Sequence, residues 1–132
     1  MGLIFVSHSS KDAEVAEEFV DSLIELGVDE KDIFFSLKMH MGVGVGRRFT
    51  EVIRQKLEDS DIIFLLLSKN YYSSYMCQQE EGVAWYCMNK KRIYPILIGI
   101  GYDDMMGFLD KTVIASLPQE NILRDIPYML KD

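Results

Sequence analysis

The sequence predicts an α/β fold, a mostly parallel sheet with helices on both faces, and three observations carry that prediction. Apolar runs of strand length alternate with amphipathic stretches of helix length. The run Ile62-Ile63-Phe64-Leu65-Leu66-Leu67 is apolar throughout, and a strand with no solvent face belongs inside a sheet covered on both sides. Polar or glycine-rich segments follow the apolar runs, at Ser7 to Ser10, Ser36 to Arg47, Ser68 to Ser74 and Gly99 to Asp104. In a doubly wound sheet such segments lie beyond the carboxyl ends of the strands, where ligands bind near a topological switch point.

Leu3-Ile4-Phe5-Val6-Ser7 reads as the first strand. From Lys11 to Leu26 the pattern is helical. Ala13, Ala16, Val20, Leu23 and Gly27 mark one face, widened by Phe19 and Leu26, and Glu14, Glu17, Glu18, Asp21 and Glu25 take the other. Ser9, with Asp12 three residues on, resembles a capping box at its start. Ile33-Phe34-Phe35 is a second short strand. Phe49, Val52, Ile53 and Leu57 recur at helix spacing up to Ser60, ahead of the central strand. Ser74 to Asn89 is helical, and Ile93 to Ile98 is a fourth strand. Pro95 removes one ladder donor there, so one edge of that strand is expected to be incompletely paired. The remaining signal is weaker: a short helix over Asp103 to Leu109, a minimal fifth strand at Val113-Ile114 and a terminal helix over Pro118 to Leu130.

With 132 residues, 48% hydrophobic and 27% charged, the chain has the balance of one globular domain over residues 1–132, able to bury a core without metals or disulfides. The net charge of −7 gives no support for nucleic-acid binding. Cys77 and Cys87 on one helix would stand roughly 15 Å apart along its axis, too far for a disulfide. Reduced cysteines fit a cytoplasmic protein. No stretch resembles a signal peptide, and the longest purely apolar run is far below the roughly 20 residues of a membrane-spanning helix. No membrane partner is expected.

The helix from Ser74 carries the most informative residue. With Cys77 at the origin of a helical wheel, Met76, Val83, Ala84 and Cys87 fall on one face, at roughly 240° to 340°, and Glu80 lies in its middle at roughly 300°. Glu81 falls at the margin, while Gln78, Gln79, Trp85, Tyr86 and Asn89 lie opposite. A carboxylate on an inward face is costly unless paired or used. Glu80 therefore either serves a cleft, with a perturbed pKa, or forms a buried salt bridge to Arg47, Arg48 or Lys11.

Other features are less specific. Gly42-Val43-Gly44-Val45-Gly46 has neither the spacing nor the position of a dinucleotide fingerprint, and no Gly-Lys-Ser/Thr follows it. It reads as a mobile loop, or as one that moves over a ligand or partner. Ser7-His8-Ser9-Ser10 could bind phosphate at a helix N-terminus or simply cap that helix. His8 could act as a base, but no partner for it is evident. With only His8 and His40, and Cys77 distant from both, no metal site is expected. The chain lacks a Gly-x-Ser-x-Gly nucleophile elbow, and Ser68 stands where a phospho-receiver needs an aspartate.

Taken in order, these segments resemble the Toll/interleukin-1 receptor (TIR) domain family, especially its bacterial branch. The resemblance runs from Ile4 to about Ile98. It rests on Ile4-Phe5-Val6-Ser7-His8-Ser9-Ser10-Lys11-Asp12, on Ile33-Phe34-Phe35-Ser36 with the loop to Gly46, on Ser60-Asp61 before the central run, on Ser68-Lys69-Asn70-Tyr71, and on Ser74-Tyr75-Met76-Cys77-Gln78-Gln79-Glu80. The resemblance implies a flavodoxin-like three-layer fold with a five-stranded parallel sheet. Many members cleave NAD+ at the nicotinamide-ribose bond. Their required glutamate stands three positions after the cysteine of a Ser-x-Trp-Cys-x-x-Glu pattern, which makes Glu80 the catalytic residue here. Two positions depart from the pattern: Met76 replaces the tryptophan, and Glu81 replaces a residue that is often leucine. A missing aromatic surface could come from Tyr71, Tyr72 or Tyr75. Glu81 either raises the pKa of Glu80 or faces solvent.

The resemblance thus implies an NAD+ glycohydrolase or cyclase in bacterial anti-phage or cell-death immunity, activated by self-association through TIR-TIR contacts that include the Ser36–Arg47 loop. NAD+ is the substrate, and no separate cofactor is expected. Phe5, Ser7, His8, Ser9, Ser10, Ser36, Arg47, Arg48, Met76 and Cys77 are the candidate substrate-binding residues. The alternatives are a non-catalytic adaptor signalling by TIR-TIR contacts and a nucleotide-binding module without turnover.

Overall fold

The structure, a computed structural model, describes residues 2–35, 49–86, 92–105, 126–128 and 130. Four strands form one parallel sheet: β1 (Leu3–Ser7), β2 (Ile33–Phe35), β3 (Ser60–Leu67) and β4 (Arg92–Leu97), in the spatial order β2-β1-β3-β4. The helices are α1 (Ala13–Glu25), α2 (Phe49–Asp59), α3 (Lys69–Tyr72) and α4 (Tyr75–Tyr86). The chain moves from β1 out to β2 and then crosses back to β3 on the other side of β1. The carboxyl ends of β1 and β3 therefore flank the topological switch point.

The side-chain period of two divides the central strand between two cores. Ile62, Phe64 and Leu66 join Ile4, Val6 and the Ala16-Phe19-Val20-Leu23 face of α1 on one side of the sheet. Ile63, Leu65 and Leu67 join Phe5, Ile53, Leu57, Tyr71, Cys77 and Ala84 on the other, beneath α2, α3 and α4. Every residue from Ile62 to Leu67 is fully enclosed, as an uninterrupted apolar run demands. Pro95, paired in register with Leu65, sits on the outermost strand among the described residues.

Helix α1 ends in a Schellman motif: Val28 N–H donates to the Leu23 carbonyl at 3.1 Å and Gly27 N–H to that of Ile24 at 3.0 Å. The motif places Gly27 at φ 102°, a conformation that glycine adopts without steric cost. The start of the helix differs from the expected capping box. Ser9 caps a short 3-10 turn, Ser10–Asp12, its Oγ accepting from Lys11 N–H at 3.3 Å. The Asp12 carboxylate instead reaches across to the loop after β3, accepting from Ser68 Oγ and from Asn70 Nδ2 at 2.8 Å. Ser68 in turn caps α3, its Oγ accepting from Tyr71 N–H at 3.0 Å. Asp12→Ala leaves those donors without their acceptor. It is expected to lower stability by about 1–3 kcal/mol in urea titration, and a change under ~0.5 kcal/mol would show that water replaces the carboxylate fully.

Helix α3 falls in a segment that the sequence pattern marks only as a loop. Four residues are too few for a helical period to register, and the Ser68 cap is its only local signal. Strand β3 also begins two residues before the apolar run, directly after α2. Ser60 Oγ donates to the Lys56 carbonyl at 2.5 Å and so closes the helix end without a connecting loop. The proposed fifth strand at Val113-Ile114 and the loop from Ser36 to Arg47 lie outside the described residues. Of the expected helix over Asp103 to Leu109, a 3-10 turn over Tyr102–Asp104 is described. Of the terminal helix, residues 126–128 are helical.

Candidate active site

Ser7 is the last residue of β1 and shares a strand face with Phe5, so its side chain projects beneath α3 and α4. Helix α4 starts beside it. Ser74 Oγ accepts from Cys77 N–H at 3.3 Å, capping the first turn, and Gln78 Nε2 donates to the Tyr72 carbonyl at 2.6 Å, tying α4 to α3. This brings Glu80 over the end of β1. Ser7 Oγ donates to Glu80 Oε1 at 2.8 Å and lies 2.9 Å from the Tyr71 hydroxyl. Glu80 is 2% exposed, and its Oε2 has no partner among the described residues. Burial pushes its carboxyl up to about 7, against the opposing pull of the Ser7 hydrogen bond.

The inward position of Glu80 agrees with the helical wheel, and Gln78, Gln79, Trp85 and Tyr86 are exposed as expected. Glu81, at the margin of that wheel face, is buried rather than facing solvent; its Oε1 has no partner among the described residues, and burial raises its carboxyl to about 7 as well. Helix α4 packs against both α2 and α3, so its sheltered arc is wider than one wheel face. Burial, not the Glu81 charge, accounts for the raised pKa of Glu80. Lys11 does not pair with Glu80, which bonds Ser7 instead.

An open pocket of about 170 Å³ lies between α2 and α4, lined by Ile53, Arg54 and Leu57 from one helix and Met76, Gln79, Glu80 and Val83 from the other. Small-molecule sites generally span about 300–1,000 Å³, so the pocket lined by the described residues is smaller than such a site. An apolar wall with one carboxylate and one guanidinium suits a ligand carrying both positive and negative groups.

The other candidate residues are distributed around this pocket. Met76 lines it. Cys77 is buried on the same helix, and burial pushes its thiol up to about 12, which leaves it protonated and unreactive. Phe5 is fully enclosed, its ring 5.1 Å from that of Phe34. His8 is buried beside Phe35, ring centroids 5.8 Å apart, and neither nitrogen has a hydrogen-bond partner among the described residues. Burial lowers its pKa, against the Val6 backbone and the Asp12 charge. Ser9 is buried in its capping role and Ser10 is exposed. Ser36, Arg47 and Arg48 lie outside the described residues. Among the described residues no group of three or more His, Cys, Asp or Glu side chains could hold a metal ion.

None of Tyr71, Tyr72 and Tyr75 lines the pocket. Tyr71 is fully buried and Tyr75 is 86% exposed. Sequence reasoning missed the Tyr71 hydroxyl, whose contact with Ser7 joins residues 64 positions apart and leaves no local signal. It also missed Arg54 and Gln79 on the pocket. Arg54 was within reach, since it adjoins Ile53 and precedes Leu57 by three, at the margin of a legible apolar face.

A family model described as TIR domain matches residues 4–121. A relative from Bacillus subtilis (strain 168), described as the uncharacterized protein YddK, is 34% identical over 119 residues. The match covers 90% of this chain and 44% of that protein, so the chain spans less than half the length of the curated relative it matches.

Proposed function

The chain belongs to the TIR-domain family, and from that premise we propose that it is an NAD+ glycohydrolase or cyclase that breaks the nicotinamide-ribose bond. One observation carries the reading. Glu80, at the motif position of the family's catalytic glutamate, is a buried carboxylate on a pocket, with Oε1 held by Ser7 and Oε2 unpartnered among the described residues.

The chemistry follows from that arrangement. The bond breaks through an oxocarbenium-like transition state, as in glycoside hydrolysis. A fixed carboxylate in a water-poor site stabilises the positive charge that develops on the ribose and holds its hydroxyls. Nicotinamide leaves as a neutral molecule, so no general acid is required. Water attack gives ADP-ribose and a proton, and attack by a nucleophile within the same nucleotide gives a cyclic isomer. Only ionised Glu80 can do this work. With its carboxyl near 7, activity rises with pH across the neutral range.

In this proposal the site is completed by self-association through TIR-TIR contacts that include the Ser36–Arg47 loop, as the family membership implies. In this reading the protein works in the cytoplasm, in bacterial immunity. Arg47 or Arg48 would hold the pyrophosphate through the planar donor fork of arginine. Arg47→Ala is expected to raise the KM for NAD+ several-fold without unfolding the domain. Unchanged kinetics at both arginines would remove them from the site. Val43→Asp or Val45→Asp is expected to reduce activity and self-association together. The catalytic assignment is tested by nicotinamide release from Glu80→Ala, which should be abolished, and from Glu81→Ala, which should fall far less. Comparable losses in both would leave Glu80 without its distinct role, and no release from the parent protein at any concentration would favour an adaptor.

A further inference from the structure

We infer that Tyr71 and Ser7 form a two-hydroxyl relay that fixes one oxygen of Glu80 and so sets the orientation of its carboxylate, an inference that rests on Glu80 being the catalytic carboxylate. The direction of the relay follows from proton counting. The Ser7 hydroxyl has one hydrogen and donates it to Glu80 Oε1 at 2.8 Å. Its contact with the Tyr71 hydroxyl at 2.9 Å must then be an acceptance, so Tyr71 donates to Ser7 and Ser7 to Glu80. Two O–H dipoles in series both point toward the carboxylate, and each strengthens the next.

The relay has a rigid support. Tyr71 is fully enclosed, its N–H is fixed by the Ser68 cap, and its ring meets Tyr72 edge-on with centroids 6.0 Å apart. Ser68 is itself tied to Asp12 at the start of α1. Ser7 is fixed by β1, which pairs with strands on both sides. Three elements, β1, α3 and α4, thus meet at Ser7 Oγ. Burial and the neighbouring Glu80 charge hold the Tyr71 phenol well above its ordinary range, so it stays a donor throughout the working pH range.

Ser7 and Tyr71 are positioning residues in this scheme. Both hydroxyl protons are committed and both side chains are fully buried, which assigns Ser7 a role different from direct NAD+ binding. Among the described residues, the titratable groups near the carboxyl are Tyr71 from α3, Cys77 and Glu81 from its own helix, and Arg54 from α2 across the pocket. Arg54 is exposed and lies 4.0 Å from Glu58. The relay is therefore the direct hydrogen-bonded support that the ionised form of Glu80 has among the described residues.

The test is an NMR titration of the Glu80 side-chain carboxyl carbon in the full chain, in a Glu81→Gln background that silences the neighbouring carboxyl. Removing a donor disfavours the ionised form, so Tyr71→Phe should raise the midpoint by about half a pH unit and Ser7→Ala by about one. The acid limb of the pH–rate profile should move in the same direction. A contact that merely glues the helices to the sheet would alter the melting temperature and leave the midpoint in place. Midpoints unchanged within about 0.2 pH unit in folded variants would overturn the relay. If a variant does not fold, the same background protein supplies the second measurement. The Tyr71 ring carbon bearing the hydroxyl should shift with the Glu80 midpoint, and a flat response would likewise overturn the relay. These readouts require no turnover, so shifted midpoints with no nicotinamide release would keep the relay and reject the catalytic reading.

Discussion

Glu80→Gln is expected to abolish nicotinamide release and, at pH 8, to make the protein more stable. The folded-state carboxyl titrates near 7, above its ordinary 4.5, because burial penalises its charge. Between those values the folded state binds more protons than the unfolded state, so stability falls as pH rises through that window and stays reduced above it. At pH 8 the ionised side chain therefore costs on the order of 2–4 kcal/mol. Glutamine removes the charge and keeps a carbonyl oxygen to accept from Ser7. Thermal melts at pH 8 should show a rise of about 5 °C or more, shrinking toward zero near pH 4.5. An active-site residue that strains the fold in this way is a familiar trade of stability for activity. Equal melting temperatures at pH 8 would show that the ionised carboxylate is better solvated than its burial implies.

Phe64→Ala is expected to have the largest effect on the fold itself. Phe64 is fully enclosed on the α1 side of β3, edge-on to Phe19 at 5.0 Å and stacked on Tyr94 at 5.7 Å between centroids. Truncation at such a site costs about 3–5 kcal/mol, against a typical total of about 5–15 kcal/mol. Urea unfolding should show a much lower midpoint with an unchanged slope. A loss below about 1 kcal/mol would mean that the surrounding core collapses into the space. Glu80 lies on the opposite side of the sheet, so whatever fraction remains folded should keep its carboxyl titration.

The sheet was legible in the sequence because burial on both faces writes an unbroken apolar run, and Ile62 to Leu67 is such a run. Glu80 was legible for the opposite reason, as a charged residue where the helical period demands an apolar one. The wheel put Glu81 at the margin of the sheltered face and left its surroundings open; its burial comes from α4 packing against both α2 and α3, which a single wheel face does not show. The Asp12 bridge to Ser68 and Asn70, and the Tyr71-Ser7-Glu80 chain, link residues more than 50 positions apart. Polar contacts of that span follow from topology and leave no periodic trace.

These residues converge on one claim, that a buried carboxylate at the end of β1 cleaves NAD+. The measurement that bears on it most directly is nicotinamide release by the purified protein, followed across a range of protein concentrations that spans its self-association. The account predicts nicotinamide in step with NAD+ loss, a specific rate that climbs with protein concentration, and none from Glu80→Gln at the same concentrations. Intact NAD+ at concentrations where the protein is fully assembled, or equal release from the Glu80→Gln variant, would contradict it.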